Sequence, residues 1–328
     1  MPTRHEQPTA QVHGGDRGYI ALGPVLKLRT PVWTVAPMVT QCDAPFRLLL
    51  RRYGARLVYS EMLMAEQFAV DAAYRATGLG LIKDRVSEED HPLTVQFAVN
   101  NPKTLVRAGV VAQRCGADAI DINLGCPQNR AKEGRYGSFI TDPHDWPLCC
   151  AMVRACVESN ELTIPVTCKI RLQKTVEATV EFALMLEAAG CAMIAVHGRR
   201  RGNEKHRRSG PADLEAIAAV KDALRIPVLT NGNVSSFDDA LESLRITRCD
   251  GVMSAEQVLR DPALFLRCNL ALRAREWCVD GTDVEGHKRE AVGGVIKEHE
   301  CEACCMPEVR PEDLLTYVHV RTYTYVRT

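Results

Sequence analysis

What most limits how this chain can fold is a rhythm. Eight short apolar runs recur along it, each followed by a helical segment within about 25–45 residues. The runs are Val32–Met38, Leu57–Met62, Leu93–Ala98, Ala119–Leu124, Pro165–Ile170, Ala192–His197, Ile226–Asn231 and Gly251–Ala255. Helical stretches fall between them at Cys42–Tyr53, at a weaker segment reaching Thr77, and at Pro102–Cys115, Pro143–Glu158, Lys174–Gly190 and Ala212–Leu224. One more follows a cap at Ser235 or Ser236, and a last one spans Pro262–Arg275. Strands that each lead into a helix build a parallel sheet, so the chain is expected to be an α/β protein, a (β/α)8 TIM barrel. The alternative is an open doubly wound sheet, which would usually carry a Gly-x-Gly-x-x-Gly turn after an early strand; none is present. Residues 1–19 are expected to form a flexible leader, 20–275 the barrel domain, and 276–328 a short C-terminal appendage.

A barrel of this kind builds its active site at the C-terminal ends of its strands. The residues falling there are not those that packing alone selects. Ala36-Pro37-Met38 closes the first run, Gln96 lies on the third, and Asn123 and Cys126 end the fourth. Lys169 and Arg171 lie on the fifth, His197 ends the sixth, Asn231-Gly232-Asn233 the seventh, and Ser254-Ala255-Glu256 the eighth. One polar strand end is ordinary loop chemistry. Six ends carrying amide, cation, imidazole or, in Ser254-Ala255-Glu256, hydroxyl and carboxylate groups suit a flat heteroaromatic ring held by Gln96 and Lys169. Backbone N–H groups after the last two strands would then meet a phosphate. Flavin mononucleotide fits that description, with Lys169 stabilising negative charge on the reduced ring.

The fourth run breaks at Gly125 and sets Cys126 against Pro127. Pro127 fixes its own φ and restricts Cys126 to extended angles, so the thiol is held in a defined place. A lone cysteine is by itself ordinary core material. Here it is followed by Arg130, Lys132 and Arg135 among Gly134, Gly137 and Ser138, a pattern expected of a mobile basic lid over an anionic substrate.

These residues resemble the tRNA-dihydrouridine synthases. The likeness rests on Val35-Ala-Pro-Met38, Ser60-Glu-Met62, Gln96-Phe97, Asp121-Ile-Asn-Leu-Gly-Cys-Pro-Gln128, Lys169-Ile-Arg171, Val196-His-Gly-Arg199, Thr230-Asn-Gly-Asn233 and Met253-Ser-Ala-Glu256, in that order. It is most like the eukaryotic subgroup acting on D-loop positions 16 and 17. The resemblance implies an FMN-binding barrel that uses NADPH or NADH to reduce specific tRNA uridines. Pro37, Met38, Gln96, Lys169, His197, Asn231, Gly232, Asn233, Ala255 and Glu256 would contact FMN. Flavin N5 would pass hydride to uracil C6, and Cys126 would protonate C5 as the catalytic acid; a thiol of ordinary pKa is mostly protonated at neutral pH. The uridine must be flipped out to reach the barrel mouth. Asn123 and Arg171 would hold it, while Arg199 and Arg200 begin a basic run reaching Arg208 that would meet RNA phosphate. A tRNA-binding barrel without turnover, or an FMN-dependent reductase of a small pyrimidine, are the competing readings.

Two departures bear on this. The family usually has glycine where this chain has Gln257, at the turn expected to meet the FMN phosphate. A helical RNA-binding domain follows the barrel in the family, whereas residues 276–328 are too few for a full helical bundle and end in the alternating, not helix-like stretch Thr316–Thr328, so tRNA docking is expected to be weakened or supplied by another surface. Lys+Arg and Asp+Glu both total 41, so an anionic partner must be met by a local patch. No apolar run long enough to span a membrane occurs, the polar N-terminus lacks a signal-peptide core, and no obligatory protein partner is indicated. Fourteen scattered cysteines suit a reducing compartment, cytoplasmic or nuclear. His299, Cys301, Cys304 and Cys305 lack a second Cys-x-x-Cys half, so no metal is expected. Arg47, Arg51 and Arg52 read as an ordinary exposed helix face.

Overall fold

The computed structural model describes residues 19–22, 26–29, 31–202, 210–270 and 272. Nearly all of the expected leader, residues 203–209 of the basic run, the end of the closing helix, the appendage and the His299–Cys305 group lie outside the described residues.

Eight parallel strands close into a barrel. They are β3 (Val32–Val35), β4 (Leu57–Met64), β5 (Leu93–Ala98), β6 (Ala119–Leu124), β7 (Val166–Leu172), β8 (Ile194–Arg200), β9 (Val228–Asn231) and β10 (Gly251–Ser254), and β10 pairs with β3 to complete the ring. Preceding them is a hairpin that the sequence pattern did not suggest, β1 (Tyr19–Leu22) antiparallel to β2 (Leu26–Arg29). Leu28 of this hairpin joins Val32 and Leu57 in the inner cluster. The outer ring is formed by α1 (Ala44–Arg52), α2 (Ala65–Val70), α3 (Ala72–Leu79), α4 (Pro102–Arg114), α6 (Trp146–Val157), α7 (Val176–Ala188), α8 (Leu214–Ala223), α9 (Phe237–Thr247) and α10 (Glu256–Arg260), while the short α5 (Asn129–Glu133) lies in the stretch after Cys126.

Alternation along each strand separates two cores. Val32, Ala36, Leu57, Tyr59, Met193, Ala195, Leu229 and Met253 fill the barrel. Their neighbours, such as Trp33, Val35, Val95, Ile120, Ile122 and Val196, face the helices. Side-chain caps start the helices where the chain leaves a strand. Asp43, Asn101, Thr175, Asp213 and Ser236 each accept a first-turn N–H. Ser236 is therefore the cap of the seventh helical segment, rather than Ser235.

Three expectations change. The helical segment reaching Thr77 is broken at Asp71, whose carboxylate caps α3 by accepting from Tyr74 N–H at 2.9 Å. The stretch after Cys126 is not an open loop, because α5 and a 3₁₀ turn at Gly137–Ile140 pack it down with Ala131 and Tyr136 buried. Arg47 does not lie on an exposed face. It is fully buried, its Nε donates to Asp90 at 2.8 Å, and its remaining nitrogens donate to the carbonyls of Cys42 and Leu79. Arg51 reaches the same carboxylate at 3.2 Å. A buried guanidinium is tolerated only when paired and hydrogen-bonded in this way. Among the described residues, no helix is long and apolar enough to cross a membrane.

Candidate active site

Register places the polar strand ends at matching heights. Gln96 on β5 pairs with Asp121 on β6, and Asp121 with Thr167 on β7. Higher up, Asn123 pairs with Lys169, Arg171 with His197, and His197 with Asn231. The alternation that hides Ile120, Ile122 and Leu124 against the helices turns Asp121 and Asn123 into the barrel.

These side chains form a chain of hydrogen bonds. Thr167 donates to one oxygen of Asp121 at 2.6 Å, and Gln96 Nε2 donates to the other at 2.8 Å. Gln96 Oε1 then accepts from Asn123 Nδ2 at 2.8 Å. The remaining oxygen of Asn123 accepts the backbone N–H groups of Gly125 at 3.1 Å and Cys126 at 2.9 Å. A carboxylate can only accept, so Asp121 dictates which way each amide in the series points. Burial pushes the Asp121 carboxyl up to about 6, opposed by the hydrogen bonds from Thr167 and Gln96 and by the charge of Lys169. Asp121 was not singled out as a site residue from the sequence. Its signal was the period of two that it shares with Asn123.

The cysteine turn is held from the other side as well. Ser138 donates to the Cys126 carbonyl through its N–H at 3.1 Å and its hydroxyl at 3.0 Å. Gly137 adopts φ 65°, and a Cβ there would come within 2.8 Å of that carbonyl oxygen, so only glycine fits. Ten cysteines are described, and Cys126 alone among them is not buried. Burial pushes the thiols of Cys42, Cys156, Cys249 and Cys268 up to about 12, which keeps them protonated and inert.

Three cations converge on the mouth from β7 and β8. Lys169 Nζ donates to Asn231 Oδ1 at 2.9 Å, and Asn231 in turn donates to the Met253 carbonyl at 2.8 Å. Loss of hydration lowers the Lys169 ammonium to about 8, and Arg171 pushes the same way. Arg171 donates to the Gly125 carbonyl at 2.7 Å. Arg199 donates to Asn233 Oδ1 at 2.7 Å and sits 3.2 Å from His197 Nε2. A globally neutral chain thus carries a local positive patch ringed by amides, suited to a planar ligand with an anionic group. Gly232 and Asn233 both have left-handed φ, 117° and 60°, turning the chain sharply after β9.

Gln96, Asn123, Cys126, Lys169, Arg171, His197, Asn231, Gly232 and Asn233 come together at this mouth, with Pro37 and Met38 on the segment leaving β3. Ala255 and Glu256 stand at the start of α10. Gln257 lies in the first turn of that helix without a positive φ, so the absence of glycine costs the backbone nothing there. Arg200 is turned away, exposed, and donates to the carbonyls of Gln173 and Lys174.

A family model described as dihydrouridine synthase matches residues 34–283. A Rattus norvegicus protein named tRNA-dihydrouridine(16/17) synthase, NAD(P)(+)-like, is 46% identical over 231 residues, covering 70% of this chain and 51% of that protein. The Schizosaccharomyces pombe tRNA-dihydrouridine(16/17) synthase is 38% identical over 243 residues, covering 73% and 58%. The chain therefore spans little more than half the length of these relatives. Among solved structures, a histamine dehydrogenase from Rhizobium sp. 4-9 superposes with a TM-score of 0.58 at 14% identity, covering 77% of this chain and 47% of that one. A 2-naphthoyl-CoA reductase gives 0.56 at 13% identity, covering 77% and 52%. At such identities the likeness is one of fold.

Proposed function

The chain belongs to the dihydrouridine synthase family, and on that premise we propose that it reduces the C5–C6 bond of uridines in the tRNA D-loop, with Cys126 as the proton donor. The observation that carries this reading is the Cys126 turn. It carries the one described thiol that is not buried, clamped at the end of β6 by Asn123 and Ser138 beside the cationic mouth.

The donor set fits FMN. Gln96 offers both amide donor and acceptor, and Lys169 adds a cation on the neighbouring face, a combination suited to a ring edge of alternating N–H and C=O groups. His197, Asn231, Gly232 and Asn233, with Ala255 and Glu256 after β10, would hold the phosphate end, and Pro37 and Met38 would flank the ring. When bound and reduced by NADPH or NADH, FMN would supply the hydride for uracil C6. Lys169 would present an ammonium to the ring below about pH 8. Asn123 and Arg171 orient the uracil, and Cys126 delivers the proton from Sγ to C5, completing the addition of two hydrogens. Arg199, tied to Asn233 and His197, serves the phosphate end, and the exposed Arg200 would leave the carbonyls of Gln173 and Lys174 to meet RNA backbone. The substrate nucleotide enters this mouth flipped out of the tRNA fold.

The test is reconstitution of the purified protein with FMN, followed by incubation with NADPH and total tRNA lacking dihydrouridine. Yellow protein that places dihydrouridine in the D-loop is the expected result. Protein that cannot be loaded with FMN would overturn the proposal, and reduction of free uridine without tRNA would assign the site to a small pyrimidine instead.

A further inference from the structure

We propose that Arg201 is a positioning residue for Cys126, so that the end of β8 sets the geometry of the acid. Its side chain lands entirely on one short segment. The guanidinium donates to the Ser138 carbonyl, lies 3.2 Å from both carboxylate oxygens of Asp142, and sits over the Phe139 ring with Cζ 5.1 Å from its centroid. A planar fork that bonds a carboxylate while stacking on an aromatic ring fixes both position and tilt, which a lysine cannot do.

That segment cannot move without moving Cys126. Ser138 donates twice to the Cys126 carbonyl. Gly137 is packed so closely that an added Cβ would meet Cys126 Cβ at 2.9 Å as well as its carbonyl oxygen. The preceding residue on the strand end braces the opposite side. Arg171 donates to the Gly125 carbonyl at 2.7 Å and to the Arg200 carbonyl at 3.4 Å. Arg200 and Arg201 thus hold the turn from both flanks, one through its backbone and one through its side chain. Arg201 and Asp142 are each about one-third exposed, at 32% and 36%, so their pairing adds little to global stability. Its effect is local, on where the thiol stands.

The catalytic part of this inference rests on the reading of Cys126 as the proton donor; the brace itself does not. Arg201→Met, Arg201→Lys and wild type are compared in two assays. In the first, alkylation of Cys126 by iodoacetamide is followed by mass spectrometry in protein without tRNA, with Cys126→Ala as control. Arg201→Met is expected to alter the rate severalfold while the melting temperature stays unchanged. In the second, kcat for dihydrouridine formation is expected to fall by roughly 10- to 100-fold, as displacement of a reacting group by about an ångström does. KM for tRNA and FMN content should stay constant, and Arg201→Lys should recover little. An unchanged alkylation rate, or a raised KM with kcat intact, overturns the proposal, the latter because it marks Arg201 as an RNA contact. If wild type forms no dihydrouridine, the function proposed above fails while the alkylation rates still decide the brace.

Discussion

The side-chain oxygen of Asn123 accepts the backbone N–H of Cys126 at 2.9 Å. Because Asn123 gives its amide hydrogens to Gln96, and Gln96 gives its own to Asp121, the orientation of the cysteine turn is set from within the barrel. Asn123→Ala leaves two backbone donors and Gln96 Oε1 without their partner. Such losses cost about 1–3 kcal/mol each when the group stays dry. Thermal denaturation is expected to show a fall of several degrees, and Cys126 should alkylate faster than in wild type. An unchanged melting temperature would mean that water replaces the amide at no cost.

The Asp121 carboxyl, raised by burial from 3.8 to about 6, makes a signed prediction. Between those values the folded protein binds a proton that the unfolded chain has released, so folding stability falls as pH rises through this window. Above about pH 6 the penalty for the buried charge is fully present. Denaturant titrations of wild type and Asp121→Asn between pH 4 and 7 should therefore diverge, with the variant lacking this part of the slope. Parallel curves would show that Asp121 stays ionised throughout.

Lys169 carries the opposite sign. Its ammonium is lowered from 10.5 to about 8, so the unfolded chain holds the extra proton between those values and stability rises with pH across them. For the ligand the consequence is reversed. Affinity for FMN is expected to weaken as pH rises through about 8, by roughly tenfold for a lost charge contact worth about 1.4 kcal/mol. In Lys169→Gln, binding should be weaker at pH 7 and nearly independent of pH from 7 to 9. Fluorescence titration of FMN reads both, and a pH-dependent Lys169→Gln would assign the titration to another group.

Asp90 offsets a guanidinium that has no access to water, since Arg47 is 0% exposed and Asp90 1%. Asp90→Ala leaves Arg47 buried beside Arg51, and removing one partner of such a pair costs about 3–5 kcal/mol. Calorimetry should record a fall in melting temperature of about 10 °C. Because the pair lies between α1 and the stretch before β5, FMN affinity of the folded variant should match wild type. A loss below about 1 kcal/mol would mean that Arg51 and the carbonyls of Cys42 and Leu79 already suffice.

Much of this architecture is legible in the sequence, and the parts that are not have physical causes. Leu93–Ala98 and Ala119–Leu124 fall where the apolar runs placed them, because a strand buried on both faces selects apolar residues, interrupted in Ala119–Leu124 where Asp121 and Asn123 join the hydrogen bonds inside the barrel. The convergence of Gln96, Asn123, Lys169, His197 and Asn231 followed from the strand-end rule alone. The direction of their hydrogen bonds did not. It depends on Asp121, and a carboxylate inside a barrel looks in sequence like any other acid. The packed segment after Cys126 looks like an open loop in sequence because α5 has only five residues, too few to show a helical period. Arg47 shares the helix face expected of an exposed cation, and only the distant Asp90 explains its burial. Arg201 sat in plain view within a basic run, where nothing distinguished the residue that turns inward from those that do not.

The most direct test is a comparison of wild type with Cys126→Ala, each loaded with FMN, reduced with NADPH and mixed with tRNA that lacks dihydrouridine. FMN content and NADPH oxidation by an artificial electron acceptor should be alike in the two proteins, because Cys126 stands outside the proposed cofactor contacts. Dihydrouridine should accumulate with wild type and be lower by at least ~100-fold with the variant, the scale of a lost general acid. Equal dihydrouridine yields from the two proteins would contradict the account.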